Sequence, residues 1–244
     1  MPNILIAGKD LPESLDICEA FARTGRKIFT VSKSESDIAN FESENIFAAP
    51  WNRASAVSAR SLIIKSETRL QKTDEILVYF DAPPFAEKFI SDRTEDVSRG
   101  IDCMISGFQY LTAELIRRIE EKKERVTISF MLRTCPTKHD LIHSGAAKGI
   151  NVPPAGIIVS GAQAAFAAAA ENAAAVLSEK DYVSVFLVQN TPSNEFYKNE
   201  KETAKWLVGY FDGIEGLKSR QNPRTCTTWI KVGAKLSGGF SLFR

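Results

Sequence analysis

The chain has 244 residues, of which 44% are hydrophobic and 25% are charged, a composition typical of a globular protein with a sizeable core. Its 31 basic and 30 acidic residues almost cancel, so the composition does not favour binding to nucleic acid or to an anionic membrane. Four scattered cysteines without CxxC spacing, together with only two histidines, predict reduced and mostly buried thiols and no metal site.

Short, almost continuous apolar runs recur along the chain and predict strands that are covered on both faces. In chain order they are "NILIA", "KIFTVS", "NIFAA", "EILVYFDA", "RVTISFML", "YVSVFLVQN" and "TTWIKVG". Helical stretches lie between them, and the first carries Leu15, Cys18, Phe21 and Ala22 on one stripe. The alternation predicts an α/β fold, a Rossmann-type doubly wound parallel sheet of about seven strands with helices on both faces.

Neither a repeat nor a linker divides the chain, so we expect a single domain over residues 1–244. The irregular stretch at residues 133–160 is long for a loop and predicts either a functional segment or an insertion with its own structure. A strand begins within a few residues of Met1, which leaves no room for a signal peptide, and no apolar run reaches the roughly 18 residues that span a membrane. We therefore expect a cytoplasmic protein.

The turn after the first strand, "GKDLPES", is the first candidate binding element. A dinucleotide-binding turn holds pyrophosphate through backbone N–H groups, and its glycines let the phosphates approach closely. Here only Gly8 is present, and Pro12 and Ser14 occupy the later two glycine positions. The run "DLPE" predicts a capping box, with Asp10 as the N-cap and Glu13 reaching back, which would place two carboxylates where the pyrophosphate binds. The sequence therefore predicts weakened dinucleotide binding.

The second strand ends in "SKS", which lacks the acidic residue that binds the ribose of NAD. Ser32 and Lys33 suit the 2′-phosphate of NADP better, so NADP is the favoured cofactor if a dinucleotide binds. A lysine in a solvated loop at the end of a strand is an equally good explanation of Lys33.

The order and spacing of these elements resemble the short-chain dehydrogenase/reductase superfamily over nearly the whole chain. "LVYFDAP" lies where that family has its Asn-Asn-Ala-Gly motif, "GFQYLTAELI" resembles the long helix that follows, and "RVTISF" and "WIKVGAKLSGG" resemble its fifth and final strands. The resemblance implies the strand order 3-2-1-4-5-6-7 and hydride transfer between NAD(P)(H) and a carbonyl or an alcohol. It also implies that Asp81 and Ala82 line the adenosine side of the cofactor site, with a structural role for Asp81, capping or holding a neighbouring element, as the alternative.

In that family a tyrosine supplies the proton, a lysine lowers its pKa, a serine orients the substrate and an asparagine completes a proton relay. In the same order, the corresponding positions here are Phe166, Ala170, Phe130 and Met104. A phenylalanine has no proton to give, and an alanine cannot lower the pKa of a neighbour. The resemblance therefore implies a divergent member that lacks the usual catalytic residues.

Two functions are compatible with this pattern. The first is a non-catalytic protein that acts through binding or assembly. The second is an atypical NADP-dependent oxidoreductase, of the carbonyl reductase or alcohol dehydrogenase type, that relies on unconventional groups such as Tyr110, Ser129 or His143. His143 and Lys148 both lie in "HSGAAKG", but their spacing differs from the Tyr-x-x-x-Lys of the family.

The helices around 97–122 and 161–178 correspond to those through which the family forms dimers and tetramers, so the resemblance implies self-association. The second helix, "GAQAAFAAAAENAAAVLSEK", has an unusually small-residue surface. Small side chains let helices approach closely and lose little conformational entropy on assembly. An ordinary alanine-rich helix that packs on its own sheet explains the same pattern equally well.

Overall fold

A computed structural model describes residues 1–38, 40–41, 43–89, 93–143, 153–218 and 225–235. In these residues seven strands form one parallel sheet in the order β3-β2-β1-β4-β5-β6-β7. The strands are β1 (Ile4–Ala7), β2 (Ile28–Ser32), β3 (Ile46–Pro50), β4 (Glu75–Asp81), β5 (Val126–Arg133), β6 (Val183–Asn190) and β7 (Thr225–Lys231). The predicted Rossmann-type fold class and strand order are confirmed.

Helices connect the strands and cover both faces of the sheet. They are α1 (Leu15–Ala22), α2 (Glu35–Ile38), α3 (Ala56–Leu70), α4 (Ala82–Lys88), α5 (Thr94–Ile101), α6 (Gly107–Lys122), α7 (Lys138–His143), α8 (Ile157–Ser178) and α9 (Glu200–Lys218). A π-helical turn, Asp102–Ser106, joins α5 to α6, and a 3₁₀ turn, Glu195–Lys198, precedes α9. No helix in the described part of the chain is long and apolar enough to cross a lipid bilayer.

The sheet separates two hydrophobic layers because successive side chains of a strand point to opposite faces. Along β5, Phe130 and Leu132 join the larger layer, which contains the buried faces of α3, α6 and α8. Met131 joins the smaller layer, which contains the buried faces of α1 and α9. Covering on both faces explains why the strands are nearly continuous apolar runs in the sequence.

The strand register brings three strand ends together. β1 lies between β2 and β4, and Ile4 is aligned with Ile28 on one side and with Glu75 on the other. β4 and β5 then stay in register to their ends, where Asp81 lies opposite Arg133. The carboxyl ends of β1, β4 and β5 therefore emerge side by side where the strand order reverses, which is where open α/β sheets bind ligands.

The irregular stretch at residues 133–160 is described in part. It contains the last residue of β5, the short helix α7 and the first turn of α8, and Thr137 forms an isolated parallel bridge with Ala155. Residues 144–152, which include Lys148, lie outside the described part of the chain. α8 begins at Ile157, one turn earlier than the alanine-rich run suggests.

A buried ion pair holds the amino ends of β2 and β4. The Arg26 side chain donates from Nε to Glu75 Oε2 at 2.8 Å and from Nη2 to Glu75 Oε1 at 3.1 Å. Both side chains are 3% exposed, and Nη2 also donates to the half-exposed Asp212 of α9 at 2.8 Å. The pair therefore joins the sheet to the helix that covers its smaller layer.

We expect Glu75→Gln to lower the free energy of unfolding by roughly 2–4 kcal/mol, because it leaves a buried guanidinium without its main counter-charge. Urea denaturation followed by circular dichroism measures the change. Arg23→Met is the control, because it removes an exposed pair with Glu19 on α1 and should cost less than about 0.5 kcal/mol. Equal effects of the two substitutions would show that the Arg26 pair is not buried as described.

Candidate functional site

A cleft of about 950 Å³ opens at the carboxyl ends of β1 to β4. Its walls come from the segments that follow these four strands and from the π-helical turn. The residues that line it are Gly8, Lys9, Asp10, Glu13, Lys33, Pro50, Trp51, Asn52, Arg53, Ala54, Asp81, Pro84, Phe85, Glu87, Lys88 and Cys103. Its volume and its position at the switch point make it the candidate binding site.

The turn after β1 is packed tightly against β4. Gly8 has φ +105°, and a Cβ added there would lie 2.2 Å from the carbonyl oxygen of Tyr79, so a glycine is required at this position. The chain then turns towards β2: the amide of Leu11 donates to the carbonyl of Val31 at 2.9 Å, and the Leu11 side chain is fully buried. The turn is therefore bound on both sides by the sheet.

The predicted capping box in "DLPE" is wrong. α1 begins at Leu15, with Ser14 as the N-cap residue and no capping bond from a side chain. The backbone of Leu11 pairs with β2, and residues 11–14 do not belong to the helix. Cations from neighbouring segments bind the two carboxylates. Asp10 accepts from Arg53 Nη2 at 2.8 Å, and Glu13 accepts from Lys33 Nζ at 2.6 Å. Burial raises the pKa of Glu13, but the hydrogen bond and charge of Lys33 outweigh it and leave the pKa below its usual value.

The turn does not fit a pyrophosphate in the pose that a glycine-rich turn provides, which needs several backbone N–H groups that point at the ligand. The amide of Leu11 is bound to β2, and the amides of Ser14 and Leu15 donate to the carbonyls of Asp10 and Pro12, each at 3.0 Å. Pro12 has no N–H to offer. The amides of Leu11, Ser14 and Leu15 are therefore used within the protein.

The five predicted cofactor residues separate into two groups. Gly8, Lys33 and Asp81 line the cleft. Ser32 and Ala82 are buried and do not line it, and the Ser32 hydroxyl donates to the carbonyl of Ser34 at 2.8 Å. Of the two residues expected to bind a 2′-phosphate, only Lys33 is therefore accessible from the cleft.

Asp81 lies at the centre of a buried ion network. Its Oδ2 forms an ion pair with Lys9 Nζ at 2.9 Å, and its Oδ1 accepts from Arg133 Nη1 at 3.3 Å. Lys9 also pairs with Glu200 at the start of α9, and the Lys9 and Asp81 side chains are 5% and 4% exposed. The network joins the ends of β1, β4 and β5 to α9, which is the structural role considered for Asp81 from the sequence.

Aromatic and polar side chains fill the space around Arg133. The Tyr197 ring lies 4.6 Å from the Arg133 guanidinium carbon, and its hydroxyl donates to the carbonyl of Thr134 at 2.7 Å. Gln163 of α8 accepts from the amide of Cys135 at 2.6 Å, and burial raises the pKa of the Cys135 thiol to about 12. None of the described residues of β5, β6 or α8 is among those that line the cleft. Among the described residues, the cleft is therefore open on the β1–β4 side, and the packed side chains of Arg133 and Tyr197 close it where β5 and β6 end.

The four residues that the resemblance assigns to the family's catalytic positions lie together, but outside the cleft. Met104, Phe130, Phe166 and Ala170 line a separate apolar cavity of about 10 Å³, room for no more than one water molecule. All four are at most 4% exposed, and the Phe166 ring lies 5.2 Å from Phe80 and 6.3 Å from Phe130. Phe166 also lies nine residues after the start of α8, whereas the resemblance places the tyrosine where this helix opens.

The unconventional groups considered for catalysis do not meet in the cleft. Ser129 is fully buried and lies on the same face of β5 as Met131, in the layer with α1 and α9. Tyr110 is 39% exposed on α6 and does not line the cleft. The side chain of His143 lies outside what the structure describes. Among the described residues, no group of three or more His, Cys, Asp and Glu side chains is placed to hold a metal ion.

Arg53 is the residue of this site that the sequence did not single out. Its Nη2 donates to the carbonyl of Gly8 and to Asp10, both at 2.8 Å, so it crosses the cleft from β3 to the turn after β1. Its guanidinium carbon also lies 4.9 Å from the ring of Trp51. The available signal was position: Arg53 follows β3 by three residues, at the edge where the other strands end.

No protein-family model and no curated protein matches the sequence. Solved structures match over nearly the whole chain. A structure from Sinorhizobium meliloti 1021, assigned to the short-chain dehydrogenases/reductases, has a TM-score of 0.66 at 14% identity and covers 95% of each chain. The 3-ketoacyl-(acyl-carrier-protein) reductase of Brucella melitensis, complexed with NADH, has a TM-score of 0.64 at 12% identity and covers 95% of this chain and 96% of its own.

The serine dehydrogenase of Escherichia coli also matches, with a TM-score of 0.61 at 13% identity and coverage of 91% of this chain and 94% of its own. At such identities the likeness shows the fold. The resemblance to the short-chain dehydrogenases/reductases is confirmed at that level, and the activity of these proteins is not thereby transferred to this chain.

We expect Asp81→Asn to lower the free energy of unfolding by roughly 2–4 kcal/mol, because Lys9 and Arg133 would then share a buried region without their common carboxylate. Glu87→Gln is the control, since Glu87 also lines the cleft but is exposed on α4. Thermal and urea denaturation measure both variants. If Asp81→Asn is as stable as the control, then Asp81 does not hold the strand ends together and a role in ligand binding is favoured.

Proposed function

We propose that this chain has the reductase fold but acts by binding a small molecule in the open cleft, without hydride transfer through a tyrosine–lysine pair. The observation on which this proposal rests is the closed half of the sheet edge. Arg133 and Tyr197 fill the space where β5 and β6 end, and Asp81 holds Arg133 in place. The resemblance assigns the family's serine, tyrosine and lysine positions to β5 and α8, so a nicotinamide and a carbonyl substrate would need that space to meet.

The tyrosines near the cleft are not suited to donate a proton. Burial raises the pKa of Tyr197 above its usual value, and its hydroxyl is already bound to the carbonyl of Thr134. Burial also raises the pKa of Tyr79 well above its usual value. A general acid needs a pKa near the working pH and access to the reacting group. The nearby cations, Lys9 and Arg133, are paired with Asp81.

The helix after β5 supports the same conclusion. α8 runs from Ile157 to Ser178 and contains no tyrosine, lysine or histidine at any position, so an error of alignment along this helix does not restore the catalytic pair. Its buried side is apolar apart from Gln163, whose amide group is bound to the backbone of Cys135. These contacts contribute to packing.

The open half of the edge has the properties of a binding site. Its volume of about 950 Å³ is at the upper end of the range for sites that bind small molecules. Phe85 offers a partly exposed apolar surface, and charged side chains from the turns after β1, β2 and β3 line the same cleft. A concave surface that combines an aromatic ring with charged groups can bind a small ligand and fix its orientation.

An atypical NADP-dependent oxidoreductase is the second candidate. One observation favours it: the cleft lies at the switch point of a fold that matches a reductase complexed with NADH. Lys33 lines this cleft, as a residue that contacts the 2′-phosphate of NADP would. Catalysis would then depend on groups outside the described contacts, such as His143 and Lys148.

We expect no oxidation of NADPH or NADH above the buffer rate when the purified chain is mixed with a panel of aldehydes, ketones and 3-ketoacyl thioesters. The reason is that none of the described residues that line the cleft is a tyrosine. Absorbance of the reduced nicotinamide measures turnover, and tryptophan fluorescence measures binding, which we expect to be weaker than about 100 µM. A reductase that has the tyrosine–lysine pair is the positive control.

Turnover would contradict the proposal. If it occurs, His143→Ala distinguishes the candidates, because loss of activity in that variant supports the atypical oxidoreductase. Micromolar binding of NADPH without turnover would leave the non-catalytic proposal in place with NADP as its ligand.

We also propose that the chain forms a homodimer or homotetramer through α6 and α8. The outer face of α8 exposes Gly161, Ala164 and Ala168, and nothing lies within 4 Å of a Cβ built on Gly161. Large apolar side chains are exposed near this face as well: Ile157 is 78% exposed and Val176 is 48% exposed. Small residues beside exposed apolar ones allow a second helix to pack closely.

Ala168→Arg is expected to shift the protein towards the monomer, because a long charged side chain at the centre of the outer face of α8 prevents close packing. Light scattering after size-exclusion chromatography measures the mass. Thr68→Arg on the exposed side of α3 is the control and should leave the mass unchanged. A wild-type chain that is monomeric at all concentrations, or an oligomer that resists Ala168→Arg, would contradict this interface.

A further inference from the structure

The Arg53 side chain is nearly buried, yet it has donors to spare. Only 9% of the side chain is exposed, and it lines the cleft. Within the described part of the chain, its hydrogen bonds go to Gly8 and Asp10, and both are made by Nη2. A guanidinium carries five N–H donors, so the donors on Nε and Nη1 make no hydrogen bond to a described residue.

Aromatic rings fix the position of this guanidinium. Its carbon lies 4.9 Å from the ring of Trp51, 5.5 Å from that of Phe85 and 5.4 Å from that of Phe108. A Cβ added to Gly107 would lie 2.6 Å from the Cβ of Arg53, so α6 also packs directly against it. Rings attract the charge but take up none of its in-plane N–H donors. The surroundings therefore hold a cation in an apolar place and leave part of its hydrogen-bonding capacity unused.

We propose that Arg53 anchors an oxyanion, the carboxylate or phosphate group of a small ligand in the cleft. This inference rests on the proposed function, that the open cleft binds a small molecule. A guanidinium matches carboxylates and phosphates in geometry and charge, and low polarity around it strengthens the bond. Asp10 already shows the chemistry, since its carboxylate accepts from Nη2 while remaining 16% exposed.

The other charges around the cleft do not take over this role. Lys9 is paired with Asp81, and Lys33 is paired with Glu13. Glu87 and Lys88 are both exposed, so water screens their charges. Arg53 is therefore the cation that combines burial, fixed position and unused donors.

Trp51 provides the signal for a test on the full chain. We would titrate sodium phosphate and, separately, sodium succinate while following tryptophan fluorescence at constant ionic strength set with sodium chloride. The wild type should give a saturable change at millimolar concentrations, as expected for so small a probe. Saturation by phosphate alone or by succinate alone identifies the source of the oxyanion, and either supports the proposal.

Substitutions assign the signal to Arg53. Arg53→Gln should weaken binding by about tenfold or more, and Arg53→Lys by at least about threefold, because lysine keeps the charge but loses the planar donors. Arg60→Gln is the matched control. Arg60 lies seven residues after Arg53, on α3, but it is 61% exposed and does not line the cleft. Asp10→Asn should strengthen binding by about threefold, because it removes an internal competitor for the guanidinium. A merely structural role for Arg53 would not produce this gain.

No saturable change with either anion, or equal binding by the wild type and Arg53→Gln, would overturn the inference. If Arg53→Gln does not fold, Arg53→Lys and Asp10→Asn decide, and unchanged binding in both would overturn it. A ligand of the cleft that binds equally to the wild type and Arg53→Gln would overturn the oxyanion site and leave the proposed function standing. Oxidation of NADPH or NADH by a chain that still binds the anion would overturn the proposed function and leave the oxyanion site standing.

Discussion

The constraint on which the rest of the site depends is the need to keep buried charges paired. Asp81 is removed from water at the end of β4, so it requires the cations of Lys9 and Arg133 within reach. The register places Arg133 beside Asp81, and Lys9 follows β1 directly, so the sheet itself brings the three groups together. Glu200 then balances the second positive charge and draws α9 against the same edge. With these charges paired, Lys9, Asp81 and Arg133 occupy the carboxyl ends of β1, β4 and β5.

Much of the fold was predictable because it follows from local patterns. Strands covered on both faces appear as apolar runs, and alternation with helices leads to a doubly wound sheet. The predicted capping box was wrong because its pattern is local, whereas residues distant in the sequence decide what Asp10 and Leu11 bind. Leu11 is bound to β2, and Arg53 takes Asp10 across 43 positions of the sequence. The residues of "DLPE" alone do not predict those partners.

The candidate site was predictable in position but only partly in composition. The sequence suggested two roles for Asp81, contact with the cofactor or support of a neighbouring element. Only the register of β4 with β5 shows that it lies opposite Arg133. Phe166 and Phe130 were assigned from a resemblance, and they are packed with Phe80 in an aromatic cluster. Rings in contact exclude water and contribute roughly 0.5–1.5 kcal/mol per pair beyond their burial. Polar groups at these positions would need hydrogen-bond partners, which the surrounding aromatic rings do not offer.

The pairing of charges also bears on what kind of ligand the cleft selects. A glycine-rich first turn holds a dinucleotide through backbone donors, and here the amides of Leu11, Ser14 and Leu15 are bound within the protein. Recognition then depends more on side chains, and the side chains differ in how firmly they are already paired. Lys9 is paired with two carboxylates, Asp81 and Glu200, whereas Arg53 is paired with one, Asp10. Because a buried cation gains more from a second anionic partner than a solvated one does, selection by charge at Arg53 is the physical alternative to selection by the turn.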